Sequence, residues 1–307
     1  MLKKRPLIII AGPTATGKSE TAVKLCQRIG GEVISCDSMQ VYRMMDIGSA
    51  KITQEEMAGV PHHLIDVLDP KEEFNLYTFL KLAKEAAEGI YARGHVPVLT
   101  GGTGFYIRAF LYDTALEEDS GDKSYRASLE EEAKNNGGDR LFEELKKVDP
   151  LSAETIDPHN LKRVIRALEF YHETGKRISQ HNLEERAKES PYDFEYYVLT
   201  RPREELYARI EKRVDLMMEA GLLKEVEDLM AYGVTEKMTS MQGLGYKQLY
   251  QALSGRMTVE EAVSRIKIET RHFAKRQLTW FRKEKDVVWV DVSGEDFFNV
   301  YEARHQS

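Results

Sequence analysis

Over the first hundred positions, short apolar runs alternate with amphipathic stretches. Runs of β-formers predict strands, and apolar residues spaced three and four apart predict helices. The predicted strands span 7–11, 32–36 and 96–100, and the predicted helices span 18–28 and 76–92. Strands that alternate with helices are typical of a parallel, doubly wound sheet. We therefore expect an α/β fold with helices on both faces of a parallel sheet.

The pattern changes near residue 116. An acidic, loop-like segment at 117–122 precedes helical patterns at 125–147 and 159–174, and 180–191 is polar without a strand pattern. A strand follows at 196–200, then long helical patterns at 204–232 and 258–285, and a last strand at 287–292. We predict a P-loop NTPase-like α/β core of residues 1–115 and 191–307. Residues 116–190 are predicted to form a mostly helical insertion domain.

The strand at 7–11 leads into Gly-Pro-Thr-Ala-Thr-Gly-Lys-Ser at 12–19, here named the phosphate loop, and a helical pattern follows. In this context backbone N–H groups and the helix N-terminus bind phosphate. Lys18 would reach the outer phosphate, and the Ser19 hydroxyl is the natural Mg²⁺ ligand. The predicted phosphate ligands are Gly12, Thr14, Ala15, Thr16, Gly17, Lys18 and Ser19. A glycine turn that only caps a helix is the alternative.

Polar residues also follow the next two predicted strands. Asp37, after 32–36, could be a general base, a magnesium ligand or a turn and cap residue. The glycine loop, Gly101-Gly-Thr-Gly104, follows 96–100, where a nucleotide hydrolase usually carries a magnesium-binding acid. Thr103 offers a hydroxyl to a phosphate oxygen or a leaving group, although a plain tight turn is the alternative. Ligands of such sheets bind at the carboxyl ends of the strands, so chemistry is expected at these three segments.

Composition is that of a globular chain: of 307 residues, 42% are hydrophobic and 31% charged. No apolar run approaches the ~18 residues of a membrane helix, and the N-terminus lacks a signal-peptide pattern. Cys26 and Cys36 have no CxxC spacing, which argues against a disulfide framework or a zinc site. We expect a cytoplasmic monomer that does not bind membranes.

The net charge of −7 argues mildly against general nucleic-acid binding, but positive charge is concentrated locally. Residues 265–285 include eight basic and two acidic residues. At helical spacing one face carries Lys267, Arg271, Lys275 and Arg282, and another carries Ile266, Phe273 and Trp280. The apolar face is expected to pack in the core. The basic face suits a phosphate backbone, and a merely solvated surface is the alternative.

Seven motifs together resemble the signatures of bacterial tRNA dimethylallyltransferases, and the match covers nearly the whole chain. They lie at 12–19, 35–42, 45–51, 60–66, 101–106, 163–169 and 271–280. The phosphate loop alone is unspecific. The sequence Asp-Ser-Met-Gln-Val-Tyr at 37–42, followed by Gly-Gly-Thr-Gly and the Ala-Lys-Arg-Gln helix, is highly specific. Departures are few and touch no assigned role: Cys36 for alanine, Met44 for glycine and Ser49 for threonine.

The resemblance implies transfer of a dimethylallyl group from dimethylallyl diphosphate to the 6-amino group of the adenosine just 3′ of a tRNA anticodon. The phosphate loop would then hold a diphosphate leaving group, which explains the missing acid after 96–100. Asp37 would accept a hydrogen bond or proton from the adenine amine, and Thr103 would steer the diphosphate. Lys18, Ser19 through Mg²⁺, and Arg209 or Arg213 would neutralise the leaving group, with Arg213 favoured. The implied catalytic residues are Asp37, Thr103, Lys18, Arg213 and Arg209.

The expected partner is a tRNA anticodon stem-loop, whose target base must leave its stack to reach a buried site. The implied tRNA contacts are Asp37, Ser38, Met39, Gln40, Thr103, Arg126, Arg163, Arg166, Gln242, Tyr246, Lys275 and Arg276. Three alternatives stay open: an adenylate isopentenyltransferase, a shikimate-kinase-like small-molecule kinase and a non-catalytic tRNA-binding P-loop module. The basic helix argues against the first two, and the third would not need Asp37.

Overall fold

A computed structural model of the chain describes residues 4–114 and 123–306; the predicted acidic segment at 117–122 lies outside them. Contacts divide the chain into two compact units. The core unit comprises Met1–Leu111 and Pro191–Ser307, and the inserted unit comprises Tyr112–Ser190. From the sequence, the boundaries are expected at residues 115/116 and 190/191.

Six strands form the sheet of the core unit. They are β1 (Arg5–Ala11), β2 (Gly31–Ser35), β3 (His62–His63), β4 (Val96–Gly101), β5 (Tyr192–Thr200) and β6 (Val287–Asp291). The order is β3-β2-β4-β1-β5-β6, and every neighbouring pair is parallel. The predicted α/β fold with a parallel sheet is confirmed.

The helices in chain order are α1 (Lys18–Ile29), α2 (Gln54–Met57), α3 (Leu76–Ala92), α4 (Gly104–Leu111), α5 (Lys123–Asn136), α6 (Asp139–Val148), α7 (Pro150–Thr155), α8 (Leu161–Thr174), α9 (Ile178–Ala187), α10 (Arg203–Glu219), α11 (Leu222–Tyr232), α12 (Tyr246–Leu253), α13 (Val259–Phe281) and α14 (Phe297–His305). A short 3₁₀ helix spans Ser240–Gln242. None of the helices in the described part of the chain is long and apolar enough to cross a membrane.

Strand β1 is the centre of the core. Its residues from Leu7 to Ala11 are buried, as expected for a parallel strand covered on both faces. It pairs with β4 on one side, where Ile9 lies opposite Leu99, and with β5 on the other. Helix α1 packs its buried Ala22 and Leu25 into the same apolar cluster. The burial fixes where β1 ends and therefore where the phosphate loop begins.

The connections leave β1 and β4 in opposite directions. After β1 the chain passes through α1 to β2, whereas after β4 it continues to β5 on the far side of β1. In open α/β sheets such a reversal of direction leaves a crevice at the carboxyl ends of the strands, where ligands bind. The phosphate loop and the glycine loop both start at this crevice.

The inserted unit contains α5 to α9, with a core that includes Leu129, Leu141, Leu145 and Leu168. Buried Asp149 joins two of its helices, because its carboxylate accepts hydrogen bonds from the backbone N–H groups of Ser152 and Ser179 at 3.1 and 2.9 Å. This unit is helical, as predicted.

Two long helices expected from the sequence are interrupted by glycines. The predicted helix at 125–147 divides into α5 and α6 at Gly137, which has a φ of 79°. The predicted helix at 204–232 divides into α10 and α11 at Gly221, which has a φ of 101°. Both angles lie outside the right-handed helical region, so the chain turns there. The polar segment at 180–191 is largely α9, and β5 starts at Tyr192, before the predicted residue 196.

Candidate active site

Three segments meet at the carboxyl edge of the sheet. The phosphate loop follows β1, Asp37 follows β2 and the glycine loop follows β4, and these strands are adjacent in the order β2-β4-β1. The N–H of Cys36 donates to the Thr100 carbonyl at 2.7 Å, so the pairing of β2 and β4 continues up to the residue before Asp37. The sheet therefore brings the three predicted segments into one site.

Two side chains of the phosphate loop donate hydrogen bonds to the Pro13 carbonyl within the same loop. The hydroxyl of buried Thr16 donates to it at 2.9 Å, and the Lys18 ammonium donates to it at 2.8 Å. The pKa of Lys18 is lowered to about 8, mainly by burial and in part by the nearby Arg213 charge, while the Asp37 charge acts in the opposite direction. A cation that is desolvated and incompletely paired favours binding of an anion. The loop is thus suited to a phosphate group.

Helix α10 supplies two arginines to the phosphate loop. Arg213 is partly buried, and its Nη1 donates to the Thr14 hydroxyl at 3.3 Å. Burial lowers the pKa of Arg213, and Asp37 opposes this effect. Arg209 is exposed, and its Nε donates to the Ala15 carbonyl at 2.9 Å. Both predicted arginines lie at the loop, and Arg213 is the more deeply placed.

Asp37 is a fixed, partly buried carboxylate. Its Oδ1 accepts the N–H groups of Met39 at 2.8 Å and Gln40 at 3.4 Å. Within residues 4–114 and 123–306, its Oδ2 has no hydrogen-bond partner. Burial raises the pKa of Tyr106 to about 12, and the charge of Asp37 contributes in the same direction. One oxygen of Asp37 is therefore oriented by backbone, and the other is available to a substrate.

The glycine loop leads into α4. The Thr103 carbonyl accepts the Tyr106 N–H at 2.9 Å, while the Thr103 hydroxyl has no protein partner among the described residues. The loop carries no acidic side chain. In the part of the chain that the structure describes, no group of three or more His, Cys, Asp or Glu residues could hold a metal ion.

Gln277 of α13 connects the two loops. Its side-chain oxygen accepts the Thr14 N–H at 3.1 Å, and its side-chain nitrogen donates to the Gly102 carbonyl at 3.0 Å. A Cβ atom at Gly102 would lie 2.1 Å from the Gln277 nitrogen, so only glycine permits this approach. Gln277 is 6% exposed.

The predicted tRNA contacts of the core unit differ in exposure. Ser38, Met39 and Gln40 are partly buried beside Asp37, and the Gln40 amide nitrogen donates to the Ala50 carbonyl at 3.1 Å. Gln242 is exposed, and its amide nitrogen donates to the Glu236 carbonyl.

Tyr246, a predicted tRNA contact, is buried and hydrogen-bonded within the protein. It is 0% exposed; its hydroxyl donates to Glu225 at 2.7 Å and accepts the Ser49 N–H at 3.1 Å. The same Glu225 carboxylate accepts the N–H groups of Asp46, Ile47 and Gly48 at 2.8, 2.7 and 3.0 Å. Tyr246 and Glu225 thus hold the loop that Gln40 contacts, and a direct tRNA contact by Tyr246 stays a prediction.

The basic face of α13 is narrower than its sequence pattern suggests. Lys267 pairs with Asp215 and Arg271 pairs with Glu211, both at 2.6 Å, because α10 packs against α13. Lys275 and Arg276 are exposed. Lys267 and Arg271 are therefore less available to a ligand than Lys275 and Arg276.

In the inserted unit, Arg126 and Arg166 share one carboxylate. Their guanidinium groups lie 3.2 and 2.9 Å from Glu169. Arg163, on the same helix as Arg166, is exposed. The three predicted arginines of this unit thus belong to α5 and α8, which pack together.

Comparison with known proteins gives the family. The model described as IPP transferase matches residues 40–284, and the model described as isopentenyl transferase matches residues 6–67. The chain belongs to the IPP transferase family. It is 53% identical over 286 residues to a tRNA dimethylallyltransferase of Lachnoclostridium phytofermentans, covering 93% of this chain and 91% of that protein.

Solved structures agree with this assignment. The full-length tRNA isopentenylpyrophosphate transferase of Bacillus halodurans is 44% identical, with a TM-score of 0.74 over 99% of this chain and 95% of that one. A eukaryotic dimethylallyltransferase described as acting on tRNA is 31% identical, with a TM-score of 0.82 over 97% of this chain and 77% of that one. The family, fold and enzyme class expected from the motifs are confirmed, while the roles of single residues in this IPP transferase stay predictions.

Two residues of this IPP transferase site were not predicted, Gln277 and Glu225. Gln277 gave a usable signal, because it lies within the matched motif at 271–280 and, at helical spacing, beside the apolar face of Phe273 and Trp280. A polar residue beside such a face is a candidate for a buried hydrogen bond. Glu225 gave no such signal, because its partners are backbone N–H groups distant in the sequence.

Proposed function

We propose that this chain transfers a dimethylallyl group from dimethylallyl diphosphate to the 6-amino nitrogen of the adenosine 3′-adjacent to the anticodon of tRNAs, releasing diphosphate. The observation that carries the proposal is the proximity of a cationic phosphate loop and the carboxylate of Asp37. Burial lowers the pKa of both Lys18 and Arg213, the Arg213 charge further contributes to the lowering at Lys18, and the Asp37 charge opposes the shift at each residue. This arrangement suits a leaving diphosphate and an amine nucleophile.

In the transfer step the bond between the first dimethylallyl carbon and the diphosphate oxygen breaks, and a bond from that carbon to the adenine nitrogen forms. The electron pair of the broken bond stays with the diphosphate, where Lys18 and Arg213 neutralise it. The proton lost by the amine passes to Oδ2 of Asp37, whose Oδ1 is held by the Met39 N–H. Thr103 donates a hydrogen bond to the diphosphate end.

Magnesium suits the donors at this site. Mg²⁺ in phosphate sites is usually held by one or two protein oxygens together with substrate phosphates. Ser19 is the second residue of α1 and is exposed, so its hydroxyl is accessible at the end of the phosphate loop. When bound, the ion would add positive charge against the leaving diphosphate. Ser19 is the residue that we assign to hold it.

For tRNA, we assign the exposed basic residues of each unit to the phosphate backbone of the anticodon stem-loop. These are Lys275 and Arg276 on α13, and Arg163 and Arg166 on α8. Arg126 adds to the second set. Asp37 lies at the carboxyl edge of the sheet, so the target base is expected to flip out of its stack to reach it. We expect the protein to act as a monomer.

The test is an acceptor comparison. The protein is incubated with radiolabelled dimethylallyl diphosphate, magnesium and either undermodified tRNA, AMP or ATP. We expect label in tRNA alone. Label in AMP or ATP instead of tRNA would establish an adenylate isopentenyltransferase, and phosphate transfer from ATP to a small molecule would establish a kinase.

A further inference from the structure

Gln277 joins two loops that carry different parts of the proposed chemistry. On one side it accepts from Thr14 in the phosphate loop, and on the other it donates to Gly102, the residue before Thr103. Thr14 is also held through its hydroxyl by Arg213. Gln277 therefore links the phosphate loop to the glycine loop just beyond the point where the pairing of β1 and β4 ends, at Ala11 and Gly101.

A primary amide suits this contact for a chemical reason. It presents one acceptor and one donor at its end, which match a backbone N–H on one loop and a carbonyl on the other. It also carries no charge, so it does not compete with the diphosphate for Lys18 and Arg213. A carboxylate would lack the donor, and an apolar side chain would leave both backbone groups without partners.

The surroundings allow little adjustment. Gln277 is 6% exposed on a helix whose neighbouring Ala274 packs with Leu206 and Ile210 of α10. On the other side, the Gln277 nitrogen occupies the space of a missing Cβ at Gly102. Interiors this tightly packed transmit small displacements to their neighbours.

We propose that Gln277 is a positioning residue that sets the separation of the phosphate loop and the glycine loop, and thereby the alignment of the diphosphate with the hydroxyl of Thr103. The inference rests on the proposed transferase function. It adds a residue that orients both loops without being required to touch either substrate.

The first test replaces Gln277 by Met, which has nearly the same volume and neither hydrogen bond. We expect kcat for transfer to tRNA to fall by about 10- to 100-fold, as misplacement of reacting groups produces. The affinity for inorganic diphosphate with magnesium is expected to fall about 10-fold, and the KM for tRNA is expected to stay unchanged. Gln277→Glu keeps the shape and the acceptor but lacks the donor to Gly102, and we expect the same kcat loss.

Gln248→Met is the matched control. Gln248 is also a buried glutamine that bridges a backbone N–H and a group on α13: its oxygen accepts the Gly245 N–H at 2.9 Å, and its nitrogen donates to Glu269 at 2.8 Å. Neither of these partners belongs to the phosphate loop or the glycine loop. We expect this variant to lower the melting temperature at least as much as Gln277→Met, with kcat within about 2-fold of wild type.

A second variant tests the contact between Gln277 and Gly102 by changing the glycine. Gly102→Ala inserts a methyl group against the Gln277 nitrogen. We expect a kcat loss similar to that of Gln277→Met, and a double variant that loses little more than the larger single loss, because both changes break one contact. Additive losses would show that the two residues act independently and would overturn the inference.

The outcomes separate the inference from the function on which it rests. If wild-type protein transfers no label to tRNA, the proposed function is wrong, and the diphosphate affinities still test the role of Gln277. If wild type transfers label and Gln277→Met keeps both kcat and diphosphate affinity, Gln277 is only structural. Full rescue of kcat by Gln277→Glu would also refute the inference, since the bridge to Gly102 would then be unnecessary.

Discussion

Burying the charged Lys18 side chain in the phosphate loop should destabilise the folded protein, and this effect can be tested by removing the charge. Lys18 is largely desolvated, and its pKa is lowered from 10.5 to about 8 by burial first and by Arg213 second. Its charged form is therefore disfavoured in the folded protein relative to the unfolded chain. Replacing Lys18 by Met should stabilise the protein at neutral pH while removing the charge that the diphosphate requires.

The magnitude follows from the pKa. The difference of about 2.5 between the two pKa values corresponds to about 3.5 kcal/mol at about 1.4 kcal/mol per unit. Loss of the hydrogen bond from Lys18 to Pro13 offsets about 1 kcal/mol of this. Since part of the Lys18 side chain reaches solvent, about 2.5 kcal/mol is an upper value for the stability gained by Lys18→Met at pH 7. The affinity for diphosphate should fall by about 100-fold or more, because a close charge-assisted contact is lost.

The pH dependence gives the sharper check. Burying the charged Lys18 destabilises the folded protein in full below the pKa of about 8 that Lys18 has in the folded state. This destabilisation disappears as the pH rises toward 10.5, the pKa of Lys18 in the unfolded chain. The stability difference between Lys18→Met and wild type should therefore shrink to about zero near pH 10. Urea unfolding at pH 7 and pH 10 measures it.

Lys24→Met, an exposed lysine on the same helix, is the control, and we expect an effect within about 0.5 kcal/mol at both pH values. The reasoning fails if Lys18→Met is less stable than wild type at pH 7, or if its stability difference from wild type is the same at both pH values.

Three other changes test the assigned roles. Asp37→Asn should lower kcat by about 100-fold, as loss of a general base does, with tRNA affinity retained. Replacing Lys275 and Arg276 together by Ala should weaken tRNA binding and reduce the slope of log K against log salt by about 1 to 2, because two phosphate contacts are lost. Glu225→Ala removes the acceptor of three backbone N–H groups and should destabilise the protein by about 3 kcal/mol, measured by urea unfolding.

For each of these three predictions, one result would contradict the assigned role. Unchanged turnover in Asp37→Asn would remove the base. If the Lys275 and Arg276 variant loses diphosphate affinity and keeps tRNA affinity, α13 contacts the other substrate. Lys267→Ala is its control, since Lys267 is paired with Asp215 and should leave the salt slope unchanged. A Glu225→Ala variant as stable as wild type would show that water replaces the carboxylate.

Local sequence patterns were sufficient for the elements that place the site. Strand β1 is an unbroken run of β-formers before a phosphate-loop motif, so both its position and the start of α1 could be predicted. The resemblance then gave the order of the site segments. The interruption at Gly221 was missed because the helical pattern continues on both sides of the glycine, and only the backbone angle of 101° reveals the turn.

The features of the site that the sequence did not predict depend on tertiary contacts. The pairing of Arg271 with Glu211 requires the packing of α10 on α13, which the helical pattern of α13 alone does not contain. The burial of Tyr246 and its bond to Glu225 likewise arise from contacts between residues far apart in the sequence. The sequence pattern of α13 therefore predicted a larger basic surface for a ligand than the folded protein exposes, because part of that charge is paired with α10.

The central claim is that the phosphate loop holds a diphosphate leaving group and hydrolyses no nucleotide. The most direct measurement follows label and phosphate together in one reaction with labelled dimethylallyl diphosphate, undermodified tRNA, ATP and magnesium. We expect one diphosphate released per label incorporated, no orthophosphate, and label on the adenosine just 3′ of the anticodon after nuclease digestion. Release of orthophosphate from added ATP in step with tRNA labelling, or label at another nucleotide, would contradict the account.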